Sequence, residues 1–290
     1  MSAFTQSVIL QVGINVLLAV GYWIAVSTGR YSFGHVGFVA IGAYTSSILT
    51  ENFSWPLPSA LLAAAAAATV GGVLVGFMAL RLPMLYLAII TLAFSSVIVI
   101  IANKWDYVGG PIGMFGMDGT SIPLVFTCLA IVVVYLLLLS RSRLGLAYSA
   151  IREDDQAARA SGIRVTRVAV SAFATSAAVT GVAGALIAHQ QGVIQPEQFG
   201  PQASLLVILY VVLGGVQYFW GAALGAIVLT LLPIYLNWLA DWYQIVYGLL
   251  FIVLMIARPQ GLIGRRNDSS RMADLLRRFQ RRRQEGETVG

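Results

Sequence analysis

From Gln198 to Ala240 the chain runs 43 residues without a charged side chain. A soluble domain has no place for such a stretch, whereas roughly 18 or more uncharged, mostly apolar residues mark a helix that crosses a bilayer. Six earlier stretches have the same character: Ser7 to Val26, Gly34 to Thr50, Leu57 to Leu80, Pro83 to Ala102, Ile122 to Ser140 and Val168 to Ala188. At 1.5 Å per residue the 43-residue run is about twice one crossing, and it is interrupted at "LGGVQYFWG", so two spans meeting at that turn are expected. Trp242 to Ala257 adds a last one. The expected fold class is therefore an all-α polytopic membrane protein with about nine transmembrane helices, within a range of eight to ten. The transmembrane domain covers residues 1–264 and a basic tail covers 265–290.

Charge orients these spans, because short loops rich in Arg and Lys stay on the cytoplasmic side. With the N-terminus outside and nine spans, seventeen of the eighteen basic residues fall inside, and only Lys104 is left outside. Eight spans would push nine tail arginines out. The C-terminus is thus expected in the cytoplasm. No cleavable signal peptide is expected, since no basic residue precedes the first apolar run. The single cysteine, Cys128, excludes a disulfide framework and a cysteine-rich metal site.

One cytoplasmic segment breaks the apolar pattern. "RSRLGLAYSAIREDDQAARASGIRVTR", Arg141 to Arg167, holds nine of the thirty charged residues. Helical spacing puts Ala147, Ala150, Ile151, Asp154, Ala158 and Ser161 on one face, with Arg152, Asp155 and Arg159 at its sides. Small side chains on that face let a second surface approach. Gly162 suits the left-handed residue that ends a helix. Pattern alone leaves two readings level: a docking surface, or a solvated loop whose arginines set topology.

The residues from Ser142 to Leu186, "SRLGLAYSAIREDDQAARASGIRVTRVAVSAFATSAAVTGVAGAL", resemble the signature of permease subunits of branched-chain amino-acid ABC transporters, the high-affinity type served by a periplasmic binding protein. "SFGHVGFVAIGAY" from Ser32, "GGPIGMFG" from Gly109, "LGGVQYFWGAALGAIV" from Leu213 and "RPQGLIG" from Arg258 match in the family's order. The resemblance implies that the 141–167 loop carries the coupling helix held by the ATP-hydrolysing subunit. Arg143, Ala150, Arg152, Glu153, Asp154, Ala157, Ala158 and Gly162 are the positions it assigns to that contact. It also implies a second homologous permease subunit, two ABC ATPase subunits carrying ATP and Mg, an extracytoplasmic solute-binding protein, and a bacterial inner-membrane location. The solute would be a branched-chain amino acid, or a related urea, amide or aromatic acid. Val216, Gln217 and Tyr218 stand where the family usually has a further glycine and a threonine, and the basic tail lies outside the match.

No cofactor is expected on the chain itself. Its only lysine is Lys104, so no phosphate loop ending in Gly-Lys-Ser/Thr exists. No nucleophile sits beside a base and an acid, and His35 and His189 are assigned to opposite membrane sides, so an enzyme is not expected and no metal site is assigned. Nucleic acid is not an expected partner, because topology explains the basic charge.

Polar groups within spans usually face the bundle interior. Asn15, one turn from Gln11, together with Ser95 and Ser96, either lines a path or hydrogen-bonds neighbouring helices. The absence of a mid-span charge suits a conduit for a net-neutral solute. The glycine-rich stretches holding His35, and Gly110 and Gly113, are either broken backbone lining the path or ordinary loops. Small pairs such as Gly72 and Gly76, Ala177 and Gly181, and Gly221 and Gly225 allow close helix packing. In the tail, Met272, Leu275, Leu276 and Phe279 share a helical face, which reads either as an amphipathic helix on the inner leaflet or as a disordered, topology-setting segment. The competing function class is a stand-alone channel or secondary transporter.

Overall fold

The computed structural model describes residues 2–235 together with Gly248 and Gly261. Apart from Gly248, the expected span Trp242 to Ala257 and the tail therefore lie outside the described residues.

Ten helices make up the described chain: α1 Ala3–Val26, α2 His35–Glu51, α3 Leu57–Ala79, α4 Met84–Lys104, α5 Ile122–Ser140, α6 Arg143–Glu153, α7 Asp155–Ala160, α8 Val165–Gln191, α9 Pro201–Gly214 and α10 Phe219–Tyr235. Their ends follow local chemistry. The Ser2 hydroxyl accepts from the Thr5 amide to cap α1, prolines occupy the first turns of α3, α5 and α9, and α8 stops at Gly192 in the left-handed conformation. One antiparallel ladder joins β1 (Met114–Phe115) to β2 (Val193–Ile194), with Met114 opposite Ile194.

Helix α8 is the axis of the bundle, with α1, α2 and α3 packed around it. Backbone contact makes this possible. A Cβ at Gly42 would lie 2.0 Å from the Gly181 carbonyl oxygen, and one at Gly184 would lie 2.0 Å from that of Val39, so α2 and α8 meet with no side chain between them. Gly72 likewise lies on Ala177. Helix α5 joins at α1, where Val125 fills the space over Gly13, and α4 lies along α2. The outer faces of α3, α4 and α5 present Leu62, Leu74, Met78, Leu85, Ile100 and Ile131 to the surroundings.

By length and composition, α1, α3, α4, α5 and α8 suit a membrane crossing, and the bent pair α9–α10 makes a sixth if counted as one span. Among the described residues this is fewer than the expected count. Helix α2 is only 17 residues long, about 25 Å at 1.5 Å per residue, and α9 and α10 are 14 and 17 residues.

The chain turns through 120° between α9 and α10. The Trp23 indole N–H donates to the Val216 carbonyl (2.9 Å) and its ring lies 6.0 Å from that of Phe219. The Asn15 amide donates to Thr230 Oγ1 (3.0 Å). Helix α10 therefore runs back along α1 in the opposite direction, with the turn beside the last turn of α1. Gly225 rests on the Tyr210 carbonyl, where a Cβ would lie 2.0 Å from the oxygen. The expectation of two segments meeting at "LGGVQYFWG" describes this hairpin, although each arm is short.

Candidate functional site

The 141–167 loop folds into α6 and α7, and it is not one continuous helix. Ser142 caps α6 by accepting from the Gly145 amide (3.2 Å). At Asp154 the backbone is extended (φ −158°, ψ 111°), and the carboxylate accepts from the Gln156 and Ala157 amides (2.7 and 3.1 Å), starting α7 afresh. The single face expected from Ala147 to Ser161 is thereby broken. Helix α7 closes as the sequence suggests: Gly162 takes φ +81°, its amide donates to the Arg159 carbonyl, and the Ile163 amide donates to that of Ala158.

Burial divides the loop into two sides. Ile151 and Ala158 pack with Val165 at the start of α8, and Tyr148 is buried as well. Ala158 thus faces the helical bundle, and Ala150 is half-buried beside it. Arg143, Glu153, Asp154, Ala157, Ser161 and Gly162 are exposed. No atom of the described residues lies within 4 Å of a Cβ built on Gly162, so its left-handed backbone favours glycine there without any crowding among them.

The half-buried Arg152 and Asp155 point to the connection between α1 and α2. Gly29, at φ +76°, lies against Arg152, where a Cβ would be 3.3 Å from its Cα. The Arg30 guanidinium donates to the Asp155 carboxylate at 2.5 Å, with side chains 15% and 35% exposed. Arg159 stands 3.8 Å from the same carboxylate, and Arg152 stands 3.8 Å from Glu153. Burial raises the pKa of the Tyr31 phenol and the nearby Arg152 charge opposes this, so the ring stays neutral within this cluster. The same turn is tied further in: the Tyr22 hydroxyl donates to the Ser32 carbonyl (3.0 Å), the Phe33 amide donates to Thr91 Oγ1 of α4 (3.0 Å), and Gly34 lies on the Thr91 carbonyl. Sequence reasoning missed the Arg30–Asp155 pair. Its one signal was an isolated arginine in an otherwise uncharged stretch, which needs a partner but does not name it.

His35 opens α2 inside a box formed by Tyr22, Phe38 and Phe173, each edge-on with ring centroids 4.8 to 5.4 Å away. Its Nε2 lies 2.8 Å from Ser176 Oγ, and that hydroxyl donates to the Gly21 carbonyl (2.7 Å). Since the Ser176 proton is committed, Nε2–H must donate to Ser176, and Nδ1 is left unprotonated. Among the described residues Nδ1 has no partner, so this serine–histidine pair lacks an acid there to orient it, and both residues are at most 1% exposed. A hydrolytic dyad is not built here.

The other residues named for the path are dispersed. Asn15 is half-buried at the α1–α10 contact. Ser95 and Ser96 both donate to the Leu92 carbonyl of their own helix (2.8 and 3.1 Å). Gly110 and Gly113 are buried left-handed residues in the connection that carries β1, Gly113 lying against the Ile194 carbonyl. That stretch is a clasp on the end of α8, closed by Gly116 donating to the Gly192 carbonyl (3.1 Å). Two buried hydroxyls without a hydrogen-bond partner among the described residues, Tyr44 on α2 and Ser204 in the first turn of α9, were not legible as a set. Tyr44 lies beside Phe199, 6.1 Å between ring centroids, just ahead of α9.

Comparison with known proteins matches residues 4–255 to the family described as branched-chain amino acid transport system / permease component. The high-affinity branched-chain amino acid transport system permease protein LivM of Escherichia coli K12 is 33% identical over 88% of this chain and 67% of its own length, and its Salmonella typhimurium counterpart is equally similar. Partial matches are the Pseudomonas aeruginosa permease protein BraD, 36% identical over 44% of this chain and 42% of its own, and Escherichia coli LivH, 34% identical over 43% and 41%. No solved structure matches.

Proposed function

The chain belongs to the family of permease components of branched-chain amino acid transport systems, and on that premise we propose that it is one membrane-spanning subunit of an ATP-driven importer for branched-chain amino acids or a related small solute. Its relatives are transport permeases and not enzymes. The resemblance to Escherichia coli LivM along most of the chain, and to Escherichia coli LivH over less than half, supports pairing with a second, homologous permease subunit. Two ATPase subunits, which hold ATP and Mg, and an extracytoplasmic solute-binding protein complete the assembly.

The division of the 141–167 loop is the observation that carries this reading. Its inner side packs on α8, and its exposed rim, Glu153, Asp154, Ala157 and Gly162, stands ready for a second protein. The carboxylates fix register and partner, while Ala157 and Gly162 permit close approach. Arg143 adds charge at the loop's entrance, and Ala150, Arg152 and Ala158 hold the rim in place from beneath.

The nine-span arrangement in the bacterial inner membrane, with the N-terminus outside and the C-terminus in the cytoplasm, also belongs to the proposal. Two arms that double back return the chain to the side it came from, whether they cross or re-enter, so the parity that places seventeen basic residues inside is preserved. A single broken span would put the arginines of 258–283 outside. The solute path is proposed to run past Asn15 and the free hydroxyls of Tyr44 and Ser204, which suit a zwitterion's carboxylate and ammonium groups without charging the membrane interior.

Purification of the tagged chain from its native membrane in mild detergent tests this. ATPase subunits and a second permease are expected together, with the ATPases lost in Glu153→Ala/Ala157→Arg and the permease retained. Solute uptake by the chain alone, with no ATPase recovered from either form, would instead establish the stand-alone channel or carrier.

A further inference from the structure

We propose that the Arg30–Asp155 ion pair is the positioning link that carries motion of the 141–167 loop into α1, α2 and α4. It rests on the reading of that loop as the ATPase contact. The loop is continuous with α5 and α8, so force on it reaches those two helices through the backbone. Packing on α8 passes it on to α1 and α2, and the turn of residues 27–34 adds a direct route from the loop into the first, second and fourth helices. Its outer edge is pinned to α7 by Arg30 on Asp155 and to α6 by Gly29 on the Arg152 backbone. Its inner edge is pinned to α1 by Tyr22 on Ser32 and to α4 by Phe33 and Gly34 on Thr91, and its end is the first residue of α2.

The ion pair suits a mechanical link better than an apolar contact would. Arg30 is 15% exposed, so the pair is weakly screened, and losing Asp155 leaves the largely buried guanidinium without its carboxylate, whereas Asp155 without Arg30 keeps Arg159 at 3.8 Å. The guanidinium also holds direction as well as distance, since its donors lie in one plane. Asp155 is the first residue of α7, directly after the break at Asp154. A shift of α7 alone therefore pulls on the turn before it bends α6.

The test uses the whole complex in proteoliposomes with its binding protein, comparing Arg30→Gln, Asp155→Asn and the double variant with the unaltered chain. Solute moved per ATP hydrolysed is expected to fall about tenfold in each single variant, within the range seen when coupling residues are changed, and to fall no further in the double. ATPase co-purification and basal ATP hydrolysis stay unchanged. Unaltered coupling in the singles, or a double variant that loses the product of both effects, overturns the proposal, as does loss of the ATPases from either single. Should Arg30→Gln fail to accumulate, Arg30→Lys carries the test: a two- to threefold lower ratio supports the link and an unchanged ratio sinks it. Absence of ATPases from the unaltered complex is a separate outcome, which removes the parent reading and this one with it.

Discussion

At the scale of single residues, the buried polar groups differ in what they commit. Ser176 both accepts from His35 and donates to the Gly21 carbonyl, so Ser176→Ala leaves a buried N–H without a partner. That costs about 1–3 kcal/mol in general and nearer ~0.6 where a bilayer is the reference. A lower unfolding midpoint in detergent is the expected outcome, with recovery in Ser176→Ala/His35→Phe, since the phenyl ring fits the same aromatic box and needs no acceptor. Tyr44 and Ser204 hold hydroxyls with no such commitment. Tyr44→Phe and Ser204→Ala are expected to leave the midpoint unchanged and to lower uptake about tenfold each, one good hydrogen bond to solute being worth roughly that factor. Equal uptake would remove both from the path. His35 was legible as an intramembrane histidine, but Ser176 was one of several hydroxyls in an apolar run. Their meeting, 141 positions apart, depends on how α2 crosses α8.

At the scale of elements, the α2–α8 contact is the tightest constraint. Gly42→Ala drives a methyl to 2.0 Å from a carbonyl, whereas the same change at Gly71 meets the flexible end of Ile41 at 3.3 Å and the Phe38 ring at an ordinary 3.6 Å. Gly42→Ala is expected to cost about 1–3 kcal/mol or more as overpacking. Gly71→Ala should be neutral or mildly stabilising, because alanine is the better helix former by about 1 kcal/mol. Comparing the midpoints of the two variants checks both. In the loop, Asp154→Ala removes the cap of α7, worth about 1 kcal/mol, and faster amide exchange over residues 155–160 should report its fraying. The glycine that ends α7 was legible because the left-handed conformation at a helix end favours glycine over residues with a side chain. The break before α7 was not, since an aspartate within a helical pattern bonds backbone amides in a turn as readily as it continues the helix.

For the whole molecule, orientation and lipid contact follow from the same distribution of side chains. In a Cys128→Ser background, a membrane-impermeant thiol reagent should label Asp118→Cys in intact cells, and Ser161→Cys only after permeabilisation. Labelling in the reverse order would invert the proposed topology. Both sites are exposed on the chain itself. The sequence by itself determined that the protein is a helical membrane protein, where along the chain its long apolar runs and its charged loop lie, and to which family it is similar. These are properties of composition and local order, set by the cost of placing charge or an unsatisfied backbone in hydrocarbon. Only the tertiary structure decided that α8 is the axis, that α9 and α10 fold back along α1, and that Arg30 grips the loop at Asp155. Those contacts join residues far apart in the chain, and in lipid they are selected by the fit of small residues and polar pairs between helices, a property no single segment carries.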